Sequence, residues 1–82
     1  MYEISFEKPA ENFLKKLDNS TRERIIKKID ELKFNPKKGK FLIGTLAGLR
    51  CLRIGDYRAI YTIIENKLIV VVLDVGHRKN VY

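Results

Sequence analysis

The chain has 82 residues, the size of one small domain, so we expect a single core to serve both folding and function over residues 1–82. Its 17 lysines and arginines against 10 acidic residues give a formal net charge of +7, which favours nucleic acid, an acidic protein or an anionic membrane surface as partner. No apolar run approaches the roughly 18 residues of a membrane span, and the N-terminus lacks the pattern of a secretion signal, so we expect a cytoplasmic protein with no membrane partner.

A strand and a helix are predicted at the start of the chain. Residues 2–6 alternate apolar and polar side chains, which is typical of a half-buried strand. Pro9 suits the first turn of a helix, where its missing N–H is not needed. Apolar residues at helical spacing then extend this helix from about Lys8 to Leu17.

A second helix is predicted directly after the first. Ser20 and Glu23 have the spacing of a capping box, which indicates a helix start at Ser20. Its apolar stripe runs to Leu32, and Asn35–Pro36 ends it. Because the link between the helices is short, we expect an antiparallel helical hairpin packed on a common sheet.

The rest of the chain predicts an antiparallel meander. Residues 37–48 are interpreted as a basic loop and an irregular connection. Three strongly apolar stretches separated by tight turns then predict strands at residues 49–54, 57–64 and 68–75. The predicted fold is α+β: an N-terminal strand, an antiparallel helical hairpin and a three-stranded antiparallel meander in one sheet.

Both faces of this sheet are predicted to be apolar. In the last strand, strict alternation assigns Val70 and Val72 to one face and Val71, Leu73 and Val75 to the other. Two helices can cover only one face, so we expect the second to be covered by the loop, by a second copy or by a partner protein.

The chain has few residues for metal or nucleophilic chemistry. Cys51 is the only cysteine and His77 the only histidine, which excludes an internal disulfide and a thiolate-based zinc cluster. The apolar neighbours of Cys51 favour a buried strand residue over a nucleophile. We therefore predict no metal and no cofactor.

Basic residues are the candidates for a functional site. Arg50, Arg53 and Arg58 lie on a predicted hairpin, and His77, Arg78 and Lys79 follow the last strand. Cations around a phosphate, with an acid and a base, support metal-independent RNA cleavage by the substrate's own 2′-hydroxyl. His77 is a candidate catalyst because histidine is a common general acid or base, although an ordinary loop histidine fits its position as well.

Tyrosines are interleaved with these cations, and two interpretations of them stay open. Tyr57 and Tyr61 share one face of a predicted strand, so they suit core packing as well as base stacking.

Two stretches resemble a known family. Leu52–Tyr61, which reads LRIGDYRAIY, and Asp74–Tyr82, which reads DVGHRKNVY, resemble the C-terminal signature of the RelE/ParE toxin superfamily. The helical hairpin before them resembles it too, so the likeness covers essentially the whole chain and implies a RelE-like fold. It also implies a RelE-like messenger-RNA interferase of archaeal or bacterial type, acting on the ribosome and silenced by a RelB-like antitoxin in a higher-order hetero-oligomer.

The resemblance also implies roles for individual residues. Arg58 is implied to stabilise the scissile phosphate, Arg78 to stabilise it or to protonate the leaving group, and Tyr82 to orient the RNA. Arg50, Arg53, Lys40 and Lys79 are the expected RNA-binding residues.

The sequence departs from the family where a general base is expected. The family's best-studied branch has two lysines on the second strand, where this chain has Leu49 and Cys51. Arginine is a poor proton acceptor, so the base is unassigned, with His77 and Lys40 as candidates. Two other functions therefore stay open: a ParE-like inhibitor of DNA gyrase, and a non-enzymatic RNA- or ribosome-binding module.

Overall fold

Five strands and two α-helices lie within residues 1–79, the part of the chain that this computed structural model describes. In chain order the elements are β1 (Glu3–Phe6), α1 (Lys8–Lys15), α2 (Asn19–Asp30), β2 (Lys40–Phe41), β3 (Arg50–Ile54), β4 (Tyr57–Ile64) and β5 (Ile69–His77). Single 3-10 turns occupy Glu31–Lys33, Pro36–Lys38, Gly44–Leu46 and Glu65–Lys67. The α+β class, with its strand, two helices and meander, is as predicted.

The sheet has the strand order β1-β5-β4-β3-β2. The strands β3, β4 and β5 pair antiparallel, which confirms the predicted meander. The N-terminal strand β1 pairs parallel with β5 at one edge, and β2 pairs antiparallel with β3 at the other. The interpretation of residues 37–48 as loop alone was wrong, because β2 is only two residues long and too short to show a periodicity.

The boundary between the helices also differs from the prediction. The first helix ends at Lys15, and α2 is capped by Asp18, whose carboxylate accepts a hydrogen bond from the Thr21 amide at 3.1 Å. This hydrogen bond lowers the pKa of Asp18. The predicted capping box beginning at Ser20 was therefore wrong by two residues, since aspartate is an equally good cap and lies upstream.

An arginine of α2 satisfies the end of α1. The Arg22 guanidinium donates to the carbonyl oxygens of Leu14 at 3.1 Å and Leu17 at 2.8 Å. Carbonyls at a helix end lack intrahelical partners, so this contact both caps α1 and ties it to α2.

The core lies between the helices and one face of the sheet, here called the helix face. Its buried residues are Ala10, Leu14, Ile25, Ile29 and Leu32 from the helical region and Leu52, Ile54, Ala59, Tyr61, Val70, Val72 and Val75 from the sheet. Residues that alternate with these strand positions, such as Cys51 and Arg58, define the opposite face, here called the open face.

A bulge in β5 overturns the assignment of Val75. Ile60 lies opposite Asp74 and Tyr61 opposite Val72, so Leu73 is an extra residue in β5. One extra residue reverses the alternation beyond it. Val75 therefore lies in the helix-face core at 1% exposure, and Asp74 and Gly76 take the open-face positions.

The connection between β2 and β3 covers part of the open face. Leu42, Leu46 and Leu49 pack there against Cys51, Ile60 and Leu73 as a second, smaller core. The loop is thus one of the covers expected for this face. Among residues 1–79, no helix is long and apolar enough to cross a lipid bilayer.

Candidate functional site

Two arginines face each other on the open face. Arg53 of β3 and Arg58 of β4 are direct cross-strand partners beside the Gly55–Asp56 turn. An anion bound between these two residues would lie close to two guanidinium groups at once. The β3–β4 turn therefore places two guanidinium-bearing side chains where a phosphate group can be held.

A lysine from β2 completes this cluster. Lys40 is the cross-strand partner of Cys51, and these two residues line one cavity together with Arg53 and Arg58. The cavity has a volume of about 210 Å³, and no acidic residue of the described part of the chain lines it. We call it the cation cavity. Arg58 is half-buried in it, whereas Lys40 and Arg53 are exposed.

Arg78 lies just beyond the end of β5. Its backbone amide donates to the carbonyl oxygen of Asp56 at 2.8 Å, which fixes Arg78 beside the turn that precedes Arg58. The side chains of Arg78 and Lys79 are exposed. Tyr82, the remaining residue implied by the resemblance, lies outside the described residues.

The structure does not bring His77 to the cation cavity. His77 is the partner of Tyr57, and the two rings meet edge to face with centroids 5.9 Å apart. Tyr57 in turn contacts Phe13 of α1 with a centroid distance of 6.0 Å, so this aromatic group lies on the helix face. The proposed catalytic role of His77 stays a prediction, on the opposite side of the sheet from Arg58.

Arg50 also lies on the helix face, where its contacts are intramolecular. Its guanidinium donates to the carbonyl oxygens of Gly39 at 2.9 Å and Lys37 at 3.3 Å. It also lies over the ring of Phe41, 5.1 Å from the ring centroid. Its expected role in RNA binding is untested, and its observed contacts hold the chain next to β2.

Tyr61 is a core residue rather than a stacking platform. Its ring is fully buried, and its hydroxyl donates to the Pro36 carbonyl at 2.7 Å and accepts from the Gly39 amide at 2.8 Å. Burial raises the pKa of Tyr61, so the hydroxyl stays protonated as a donor at neutral pH. The sequence left both interpretations of Tyr61 open and gave no sign that it anchors residues 36–39.

Comparisons with known proteins relate this chain to toxins of toxin–antitoxin systems. Residues 4–82 match the family model described as the ParE toxin of the type II toxin–antitoxin system parDE. No curated protein gave a significant match.

Solved toxin–antitoxin structures share the fold. The toxin–antitoxin complex RelBE2 from Mycobacterium tuberculosis contains a chain that is 33% identical, with a TM-score of 0.86 over 94% of this chain and 98% of that chain. The intact E. coli RelBE complex gives 28% identity and a TM-score of 0.78, covering 94% and 96%. The archaeal RelE–RelB complex from Pyrococcus horikoshii OT3 gives 26% identity and a TM-score of 0.78, covering 96% and 97%.

Proposed function

The chain belongs to the ParE toxin family of type II toxin–antitoxin systems, and on this premise we propose that it is a ribosome-dependent messenger-RNA endonuclease that inhibits translation. The observation that carries the proposal is the cation cavity, because it offers an RNA phosphate several cations in one place. Further support comes from the similar solved structures, which are of RelBE2, RelBE and RelE–RelB toxin–antitoxin complexes. The cytoplasm, where ribosomes and messenger RNA are found, is the proposed location.

The proposed reaction needs no cofactor. The 2′-hydroxyl of the RNA attacks the adjacent phosphorus, the bond to the 5′-oxygen of the next nucleotide breaks, and that oxygen takes up a proton. Arg58 holds the phosphate as its charge grows, and Arg53 and Lys40 bind the backbone. Arg78 adds charge or the leaving-group proton, and Tyr82 orients the RNA.

The proton acceptor is the open part of this mechanism. Lys40 borders the cation cavity, whereas His77 lies on the helix face. Position 51, where the resemblance expects a lysine, carries a buried cysteine. A ribosome that holds the messenger RNA in a reactive geometry lowers the demand on a strong base, so we expect weak activity on free RNA.

The matched family model favours one rival function. It is a model of ParE toxins, and the ParE-like alternative implied by the resemblance is an inhibitor of DNA gyrase rather than a nuclease. Ribosomes programmed with a defined messenger RNA should acquire new RNA ends in the A site when the protein is added. A gyrase supercoiling assay runs in parallel. Intact messenger RNA together with trapped gyrase-cleaved DNA would reject the endonuclease and select the gyrase inhibitor.

We also propose a RelB-like antitoxin partner with an acidic segment that neutralises the cation cavity. The net charge of +7 would steer such a partner to the chain at a high, salt-sensitive rate. Hydrogen exchange of the co-expressed complex should show protection in β3 to β5 and around Arg78. Protection confined to the exposed sides of α1 and α2 would contradict neutralisation of the cavity.

A further inference from the structure

The strand that carries Lys40 is too short to hold itself in place. β2 consists of Lys40 and Phe41 and makes two cross-strand pairs with β3 at the edge of the sheet. Edge segments with so few backbone hydrogen bonds open easily. The position of Lys40 therefore depends on contacts outside the strand ladder.

Two helix-face residues that are themselves cross-strand partners supply several of those contacts. Tyr61 binds Gly39 and Pro36 through its hydroxyl, and its partner Arg50 binds Gly39 and Lys37 through its guanidinium. Hydrogen bonds from a charged donor to carbonyl oxygens are stronger than neutral ones. Arg50 also lies over the ring of Phe41.

Because side chains alternate along a strand, this anchoring also sets the face on which Lys40 lies. Phe41 is the partner of Arg50 and so lies on the helix face, whereas Lys40 is the partner of Cys51 and lies on the open face. Gly39 and Phe41, the two neighbours of Lys40, are both held from the helix face by Arg50. Lys40 between them must then project into the cation cavity.

We propose that Arg50 is a positioning residue that holds residues 37–41 at the sheet edge and so keeps Lys40 in the cation cavity as its third cation. The resemblance implies a lysine at position 51, where this chain has Cys51. Lys40 on the neighbouring strand β2 thereby supplies a positive charge next to that position. The proposal rests on the proposed function, because it assigns Lys40 to the RNA backbone at the same cavity. It replaces direct RNA binding by Arg50 with an indirect role.

The test is a double-mutant cycle on RNA binding that does not depend on cleavage. The probe is a short, labelled single-stranded RNA whose 2′-hydroxyls are all methylated, so the nucleophile is absent. Lys40→Ala should weaken binding about three- to tenfold at low salt and lower the salt slope by about 0.7, the value for one lost phosphate contact with a single strand.

Arg50→Ala should produce a loss close to that of Lys40→Ala, and the double variant should bind about as weakly as either single variant. Residues that act as one unit are not additive. The matched control is Arg24→Ala, which removes the same charge from an exposed position of α2, and its effect should multiply with that of Lys40→Ala. Multiplicative losses for Arg50→Ala and Lys40→Ala would overturn the proposal.

Amide hydrogen exchange supplies a second measurement, without RNA. The Gly39 amide donates to Tyr61 and the Leu42 amide to the Leu49 carbonyl, so both report on the held segment. Arg50→Ala should speed exchange at both amides, and Arg24→Ala should leave it unchanged. Unchanged exchange in Arg50→Ala would also overturn the proposal.

The two proposals fail in distinguishable ways. Non-additive binding with no cleavage on programmed ribosomes would reject the endonuclease and leave the role of Arg50 intact. Cleavage with additive binding losses would reject the role of Arg50 alone.

Discussion

Replacing Arg58 with alanine is expected to slow cleavage of ribosome-bound messenger RNA by about 10² to 10³ in a single-turnover assay, because loss of one preorganised donor to developing negative charge has an effect of that size. Arg58 is the half-buried member of the cation cavity. A charge interacts more strongly where water is partly excluded, so removing Arg58 should slow cleavage more than removing an exposed cation does.

Arg53→Ala is the matched control, since it removes an arginine from the directly opposite position of the same hairpin. Arg53 is exposed, and its loss should chiefly raise the ribosome concentration needed for half-maximal cleavage. Thermal melting of both variants shows whether each still folds. Equal losses of maximal rate in folded Arg53→Ala and Arg58→Ala would mean that the two arginines act only as general charge.

The elements that the sequence predicted best are those with strong periodic patterns. The three meander strands are strongly apolar, and tight turns join them. Strands joined by tight turns can pair only antiparallel, because parallel pairing needs a long crossover. The N-terminal strand β1 was also predicted, but its parallel partner β5 is the last strand, separated from it in the chain by both helices and by β2, β3 and β4. Sequence spacing does not reveal a pairing between segments so far apart.

The bulge at Leu73 shows why side-chain direction was harder to predict than secondary structure. Alternation carried unbroken through β5 gives the wrong face for Val75. A bulge of one residue leaves no mark in a run of valines and leucines, because either phase places apolar residues on both faces. The face of Asp74 and Gly76 therefore became known only from the register with β4.

The candidate site was predictable in its residue types and less so in its grouping. Arg53 and Arg58 follow from a two-residue turn, which makes them opposite partners once the hairpin is recognised. Lys40 joins them through β2, which has no sequence signature. Arg50 is separated from Arg53 by an odd number of positions, so alternation alone puts it on the other face.

Gly39→Ala is expected to destabilise the fold by about 2–3 kcal/mol, the upper part of the range for forcing one extra carbon into a packed site. A Cβ at Gly39 would lie 2.6 Å from the Tyr61 hydroxyl oxygen, 2.8 Å from a carbon of its ring and 2.9 Å from the Cys51 carbonyl oxygen. The backbone at Gly39 has φ −72° and ψ 157°, which alanine adopts freely, so the whole effect comes from these contacts. For a domain of this size, the melting temperature should fall by roughly 10–20 °C.

Gly44→Asn serves as the control for mutation of a glycine in the same region. No atom lies within 4 Å of a Cβ at Gly44, and asparagine tolerates its φ of +80° better than most residues. The strain of this φ should lower its melting temperature by less than Gly39→Ala does, because no packed contact is disturbed. If Gly39→Ala had the same melting temperature as Gly44→Asn, residues 36–41 would be able to shift away from the new Cβ without strain. Tyr61 would then not hold them in place.

Tyr61→Phe tests whether the Tyr61 hydroxyl causes the destabilisation expected for Gly39→Ala. Removing the hydroxyl leaves the Gly39 amide and the Pro36 carbonyl without this partner, which should destabilise the fold by about 1–3 kcal/mol. It also removes the atom nearest to a Cβ at Gly39. The double variant should therefore lose less stability in urea denaturation than the sum of the two single losses. A strictly additive pair would place the strain of Gly39→Ala on the two contacts that remain, the ring carbon of residue 61 at 2.8 Å and the Cys51 carbonyl oxygen at 2.9 Å.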